Sequence, residues 1–148
     1  MRNVFLLFII LVETLEAKEY KAVFDCSSGD SAYIKSRMWL LDKTISMIES
    51  KGDKATFAIT LHGKCVAMTS EHYEMIVPDE DIQNIKVAQE YLQSLISERG
   101  VKVTVCAMSL NNNAILQEDV IEKISISPNS FLDTISYQND GYALMTFK

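Results

Sequence analysis

Gly100-Val101-Lys102-Val103-Thr104-Val105-Cys106 is the stretch of sequence that decides the fold. Its β-branched residues alternate with other residues, which is typical of a buried strand, and the run ends at a cysteine. The preceding residues 79–99 place Ile82, Ile85, Gln89 and Leu92 on one helical face, and Gly100 ends that helix. A helix followed at once by a buried strand predicts the alternating architecture of an α/β domain.

The rest of the chain continues this alternation. Strands are predicted at residues 22–26, 55–61, 124–126 and 142–147, and helices at residues 34–48, 117–123 and 130–139. Residues 27–31 are predicted to form a turn that caps a helix, and residues 109–113 a polar loop. Together these elements predict one domain, a three-layer α/β/α sandwich with a mostly parallel sheet of about five strands.

Length and charge exclude several classes of protein. The chain has 148 residues, which is enough for one domain and too few for a multidomain machine. Fourteen Lys and Arg against twenty Asp and Glu give a net charge of −6. Nucleic-acid binding needs a basic surface that releases counterions, so we expect no nucleic-acid partner.

The amino terminus has the pattern of an export signal. Arg2 is followed by an unbroken apolar run at residues 4–12, and Ala17 offers a small residue for cleavage. We therefore predict a signal peptide at residues 1–17, a mature domain at residues 18–148, and export to the periplasm. No other stretch is apolar for long enough to span a bilayer, so no integral membrane segment is expected in the mature chain.

Three cysteines and one histidine are predicted to lie at the same edge of the sheet. Cys26, His62 and Cys106 end predicted strands, Cys65 follows His62 closely, and ligands of parallel sheets bind at the carboxyl ends of strands. An odd number of cysteines leaves at least one thiol outside any internal disulfide. Three interpretations stay open: a reactive thiol, a disulfide of Cys26 with Cys65 or with Cys106, and a zinc or copper site. The absence of a CxxC pair argues against the metal.

The sequence also resembles a known family, the small DsrE/DsrF-like proteins of sulfur relay and sulfur oxidation. The resemblance rests on residues 100–110, where a strand leads into Cys106, and on landmarks elsewhere in the chain. These landmarks are Val23-Phe24-Asp25 with Gly29-Asp30, His62-Gly63, Glu118-Asp119, Pro128, and Gln138-Asn139-Asp140-Gly141-Tyr142. The resemblance implies a parallel α/β sandwich, a homo-oligomer, and a strand-end cysteine that carries sulfane sulfur as a persulfide.

Only Cys106 occupies the position of that cysteine. The leading hypothesis is therefore a sulfur-relay protein with sulfurtransferase-like carrier activity, in which Cys106 exchanges sulfur with donor and acceptor proteins or small sulfur species. His62 is the candidate for lowering the pKa of Cys106, and no cofactor is expected. Two alternatives remain: a non-catalytic oligomeric binding module of the same fold, and an exported domain that binds a soft metal.

Overall fold

The computed structural model of the chain describes residues 16–147. Its strands are β1 (Glu19–Cys26), β2 (Lys54–Leu61), β3 (Lys102–Cys106), β4 (Ser125–Ser127) and β5 (Ala143–Phe147). Its α-helices are α1 (Ser31–Glu49), α2 (Ile82–Ser97), α3 (Ala107–Asn112) and α4 (Ser130–Asn139). Shorter 3₁₀ helices occupy Gly63–Thr69, Tyr73–Met75, Asp79–Asp81 and Gln117–Asp119.

The five strands form one sheet in the order β4-β3-β2-β1-β5, and every neighbouring pair is parallel. Helices α1 and α2 pack against each other, whereas α4 contacts β1, β2, β3 and β5. A right-handed crossover from β4 back to β5 must pass over the face opposite α1 and α2, since it runs in the other direction across the sheet. The predicted three-layer α/β/α sandwich with a five-stranded parallel sheet is confirmed.

The alternation of side chains along the strands assigns each residue to one face of the sheet. Phe24, Leu61 and Val105 belong to the apolar core. The core residues of α1 and α2 join the same cluster; they are Ile34, Met38, Leu41, Ile45, Ile85, Ala88, Leu92 and Leu95. Because successive strand residues point to opposite faces, Asp25 and Cys106 point to the face that carries α4.

The predicted capping turn precedes α1, which begins at Ser31, three residues before the predicted start, and α4 begins at its predicted residue. The Asp30 carboxylate accepts the main-chain N–H of Tyr33 at 2.9 Å, which caps α1. The side chain of Asn129 accepts the N–H groups of Phe131 and Leu132 at 2.9 and 3.2 Å, which caps α4. The observed bounds of α4 equal the predicted ones.

Two local predictions were wrong. The predicted loop at residues 109–113 lies mostly within α3, because Ala107, Met108 and Leu110 favour a helix and the asparagines only end it. The predicted helix at residues 117–123 shrinks to the single 3₁₀ turn Gln117–Asp119. Most of the predicted signal peptide lies outside the described residues. Within residues 16–147, no helix combines the length and the hydropathy that a membrane crossing requires.

Candidate functional site

Cys106 is the last residue of β3, and α3 begins directly after it. Its side chain lies almost wholly inside the protein, with 4% of the residue exposed. Burial by itself would raise the pKa of the thiol, because it penalises the charged form. Hydrogen bonds from the Ser109 side chain and from the main-chain N–H groups of Ser109, Ser130 and Met108 outweigh this, and the pKa is lowered below its ordinary value. The arrangement favours the thiolate, which is the nucleophilic form.

Two elements distant in sequence supply these hydrogen bonds. Met108 and Ser109 lie in the first turn of α3, and Ser130 is the first residue of α4. Main-chain N–H groups at helix starts have no partner inside the helix, so they are free to contact an anion. The sulfur of Cys106 therefore sits where the starts of two helices meet, and an anionic sulfur is stabilised there without a basic side chain.

Ser109 is itself held in place by the segment that follows β2. Its hydroxyl oxygen accepts the main-chain N–H of Gly63 at 3.1 Å. The side-chain amide of Asn113 then bridges the carbonyl oxygens of Gly63 at 3.1 Å and Ser109 at 2.8 Å. Ser109 is not recognised from the polar run at residues 109–113, because such a run is typical of a loop. A small hydroxyl residue three positions after a strand-end cysteine, at the start of a helix, is the signal that could have found it.

His62 follows β2 and pairs with Asp25 of β1. Its Nε2 atom lies 3.1 Å from one carboxylate oxygen of Asp25, and the Thr60 hydroxyl donates to the other at 2.8 Å. The hydrogen bond with Asp25 raises the pKa of His62 against the opposing effect of burial. The largest influences on the pKa of Cys106 are burial and the groups named above, and His62 is not among them. Its role in tuning Cys106 stays a prediction.

The structure decides between the two disulfides that the sequence left open. Cys26 is bonded to Cys65 with a Cα–Cα distance of 5.9 Å, and Cys106 is free. The disulfide lies in the core beneath α1 and α2, whereas Cys106 points to the α4 face. The strand-end rule therefore placed all the cysteines at one edge correctly, but the sheet separates the free thiol from the other two.

The disulfide removes two of the ligands that the proposed metal site needs. A zinc or copper site built on Cys26, Cys65, Cys106 and His62 needs thiolates, and the sulfurs of Cys26 and Cys65 are bonded to each other. Among residues 16–147, no group of three or more His, Cys, Asp and Glu side chains is arranged to hold a metal ion. His72 lies with its side chain half exposed, 3.7 Å from Asp119.

Comparison with solved structures recovers the same fold. The chain superimposes with a TM-score of 0.60 on a protein of unknown function, MTH1491 from Methanobacterium thermoautotrophicum, over 86% of this chain and 99% of that one. It superimposes with a TM-score of 0.55 on the ychN protein of E. coli, with the same coverage. Both are 16% identical in sequence, so they support the fold alone.

Sequence comparison goes further. An uncharacterized protein of Aquifex aeolicus (strain VF5) is 32% identical over 143 residues, which are 97% of this chain and 63% of that protein. Residues 21–147 match the family model of the DsrE/DsrF-like family, so the match runs from β1 to the end of β5 and includes Cys106. The chain belongs to the DsrE/DsrF-like family.

Proposed function

We propose that the protein is a sulfur carrier that holds sulfane sulfur as a persulfide on Cys106. Family membership supports a sulfur-relay type of function. The observation that carries the specific role is the free thiol of Cys106, surrounded by hydrogen-bond donors that lower its pKa. A buried cysteine that only fills space needs no such donors.

The chemistry requires two displacements at sulfur. The Cys106 thiolate attacks the outer sulfur of a polysulfide or of a donor persulfide, so a bond forms between Cys106 Sγ and that sulfur. The sulfur–sulfur bond of the donor breaks, and the donor leaves as a thiolate with the electron pair. An acceptor thiolate then attacks the outer sulfur, and Cys106 leaves as a thiolate. The N–H groups of Ser109 and Ser130 stabilise Cys106 before the first step and as leaving group in the second.

Intact mass spectrometry after polysulfide treatment tests this proposal. The wild-type protein is expected to gain the mass of sulfur in a form that dithiothreitol removes, and Cys106→Ser is expected to gain none. Peptide mapping should place the added sulfur on Cys106 while Cys26 and Cys65 remain bonded. Absence of added sulfur in the wild type, or equal gain in Cys106→Ser, would refute the carrier role.

His62 enters the proposal as a long-range contributor. Protonated, it would add a positive charge at the same edge of the sheet as Cys106 and so favour the thiolate. Its contact with Asp25 reduces that net charge. We therefore expect His62→Gln to slow alkylation of Cys106 less than Ser109→Ala does. The opposite order would make His62 the main group that activates the thiol.

We also propose that the chain forms a homo-oligomer through the outer face of α4. Phe131, Leu132 and Ile135 are 75%, 55% and 57% exposed, and together they form an apolar stripe on that helix. Sedimentation velocity should show an oligomer for the wild type and a smaller species for Ile135→Asp. Met47→Asp, which changes an equally exposed residue on α1, is the matched control and should sediment like the wild type. A wild-type monomer would refute this surface.

Self-association alone, without sulfur transfer, is the second candidate function. The exposed stripe on α4 favours it, since a binding module needs a surface and no reactive thiol. An oligomer whose Cys106 reacts with alkylating reagents no faster than an unfolded cysteine would support this alternative over the carrier.

We propose, finally, that residues 1–17 direct export to the periplasm. The Cys26–Cys65 disulfide supports this, since structural disulfides persist mainly in oxidising compartments. Expression of the full chain with cell fractionation and amino-terminal sequencing tests it. A mature chain that begins near Lys18 in the periplasmic fraction is expected, and an uncleaved chain in the cytoplasm would refute it.

A further inference from the structure

We propose that the Cys26–Cys65 disulfide is a positioning device for the thiol on the other face of the sheet: it holds the turn at Gly63, and Gly63 in turn fixes Ser109 on Cys106. The inference rests on the proposed function only in taking Cys106 as the working residue. It gives a role to the two cysteines that the carrier mechanism does not use.

The first step is the attachment of the turn to β1. The main-chain N–H of His62 donates to the carbonyl oxygen of Cys26 at 2.9 Å, and the N–H of Cys65 donates to the carbonyl of His62 at 3.1 Å. The disulfide then joins Cys65 covalently to Cys26. The turn between His62 and Cys65 is thus closed by its own hydrogen bond and tied to the end of β1 by one hydrogen bond and one covalent bond.

The second step is the tight fit of Gly63. Its φ angle is +56°, and a Cβ atom at this position would lie 2.9 Å from the carbonyl oxygen of Ser27, the residue after Cys26. Only glycine adopts this conformation without strain, and only glycine leaves room for the Ser27 carbonyl. The turn can therefore sit against the end of β1 in one way, with the Gly63 N–H directed at Ser109.

The third step is the hydrogen-bond chain itself. Because the Gly63 N–H fills an acceptor position on the Ser109 oxygen at 3.1 Å, the single hydroxyl proton of Ser109 is left to donate to Cys106. Hydrogen bonds in series also polarise one another, so the Gly63 contact strengthens the Ser109 donor. Loss of the turn would leave the hydroxyl free to rotate away from the sulfur.

The experiment is the pH dependence of Cys106 alkylation by iodoacetamide, which requires no sulfur donor. It is measured on the full chain for wild type, Gly63→Ala, Ser109→Ala, the double variant Cys26→Ala/Cys65→Ala, and the combination of that double variant with Ser109→Ala. Cys106 is the only free thiol in every protein, so the rate reports on it alone. Circular dichroism checks the fold of each variant.

We expect Gly63→Ala, Ser109→Ala and the disulfide-free variant each to slow alkylation at neutral pH by roughly three- to tenfold and to move its midpoint to higher pH. The variant that combines Ser109→Ala with loss of the disulfide should react no more slowly than the slower of Ser109→Ala and the disulfide-free variant. Both changes act through the same Ser109 hydroxyl, so their effects should not add. Gly52→Ala is the matched control, because Gly52 also has a positive φ but has no atom within 4 Å of the added Cβ.

Two results would overturn the inference. One is a folded disulfide-free variant that titrates like the wild type, or effects that add in the combined variant. The other is a Gly63→Ala protein that titrates like the wild type, and this variant decides the matter even where the disulfide-free protein fails to fold. If the variants change Cys106 alkylation as expected but the wild type forms no persulfide after polysulfide treatment, the carrier role is refuted and this inference stands.

Discussion

Raising the pH from about 6 to about 9 is expected to remove the contribution of the His62–Asp25 pair to folding stability. The pKa of His62 is raised in the folded protein, mainly by its hydrogen bond with Asp25. The folded state therefore holds the imidazole proton more tightly than the unfolded chain, whose histidine titrates near pH 6.5. The stabilisation is complete below about pH 6.5 and is lost as the pH rises through the raised pKa of the folded state.

The geometry bounds the size of this effect. Two unit charges 3.1 Å apart attract with about 5 kcal/mol at an effective dielectric constant of about 20. The side chains are 25% and 20% exposed, so both ions lose much of their hydration, and burial opposes the charging of His62. Desolvation cancels most of the attraction, which leaves about 1 kcal/mol, the upper end for measured surface pairs.

Urea denaturation at the two pH values measures this contribution as a difference between proteins. The wild type should exceed His62→Gln in free energy of unfolding by about 1 kcal/mol at the lower pH, and the difference should nearly vanish at the higher one. His72→Gln is the matched control, because His72 lies 3.7 Å from Asp119 with half its side chain exposed. Its free energy of unfolding should differ little from that of the wild type. A difference that stays constant or grows with pH would refute the argument.

Three further predictions concern stability and the thiol. Replacing Cys26 and Cys65 by Ala should lower the free energy of unfolding in urea by about 4 kcal/mol, since the cross-link spans a sequence separation of 39 residues. Leu92→Ala, at a fully buried position, should cost about 2–5 kcal/mol in the same assay. Asn129→Ala removes the cap of α4 and should cost about 1 kcal/mol in that assay. It should also slow iodoacetamide alkylation of Cys106, because the adjacent Ser130 contributes a donor; an unchanged rate would show that the α4 start does not matter to the thiol.

The element order and fold class could be predicted because they depend on local patterns. Strand β3 ends at Cys106 as predicted, and α4 has its predicted bounds, since periodicity and caps are readable within a few residues. The order of the strands could not be predicted in the same way. Strand order depends on which strands pair. Strands β4 and β5 are consecutive in the chain, yet they lie at opposite edges of the sheet, where β5 pairs with β1.

The site could be predicted as a set of strand ends but not as a network. The rule that ligands bind at the carboxyl edge brought Cys106 and His62 to attention. Ser130 was not predicted, because its N–H approaches the sulfur only through the pairing of β4 with β3, which sets Ser127 beside Cys106. The disulfide partner could have been predicted from the strand pattern. Cys26 lies two residues after Phe24 and so points to the same core face, whereas Cys106 directly follows Val105 and points to the opposite face.

The location of Cys106 and of the Cys26–Cys65 disulfide on opposite faces of the sheet also explains how a free thiol can persist in the same domain as a disulfide. A thiolate exchanges with a disulfide only when it can approach one of the two sulfurs directly, and a reactive Cys106 would otherwise scramble the Cys26–Cys65 bond. Here the bonded sulfurs lie in the core under α1 and α2, with both cysteines fully buried, while Cys106 points to the α4 face. The backbone of the sheet stands between them. On the proposed carrier mechanism, a sulfur atom held by Cys106 would therefore leave toward a partner thiol that reaches the α4 side.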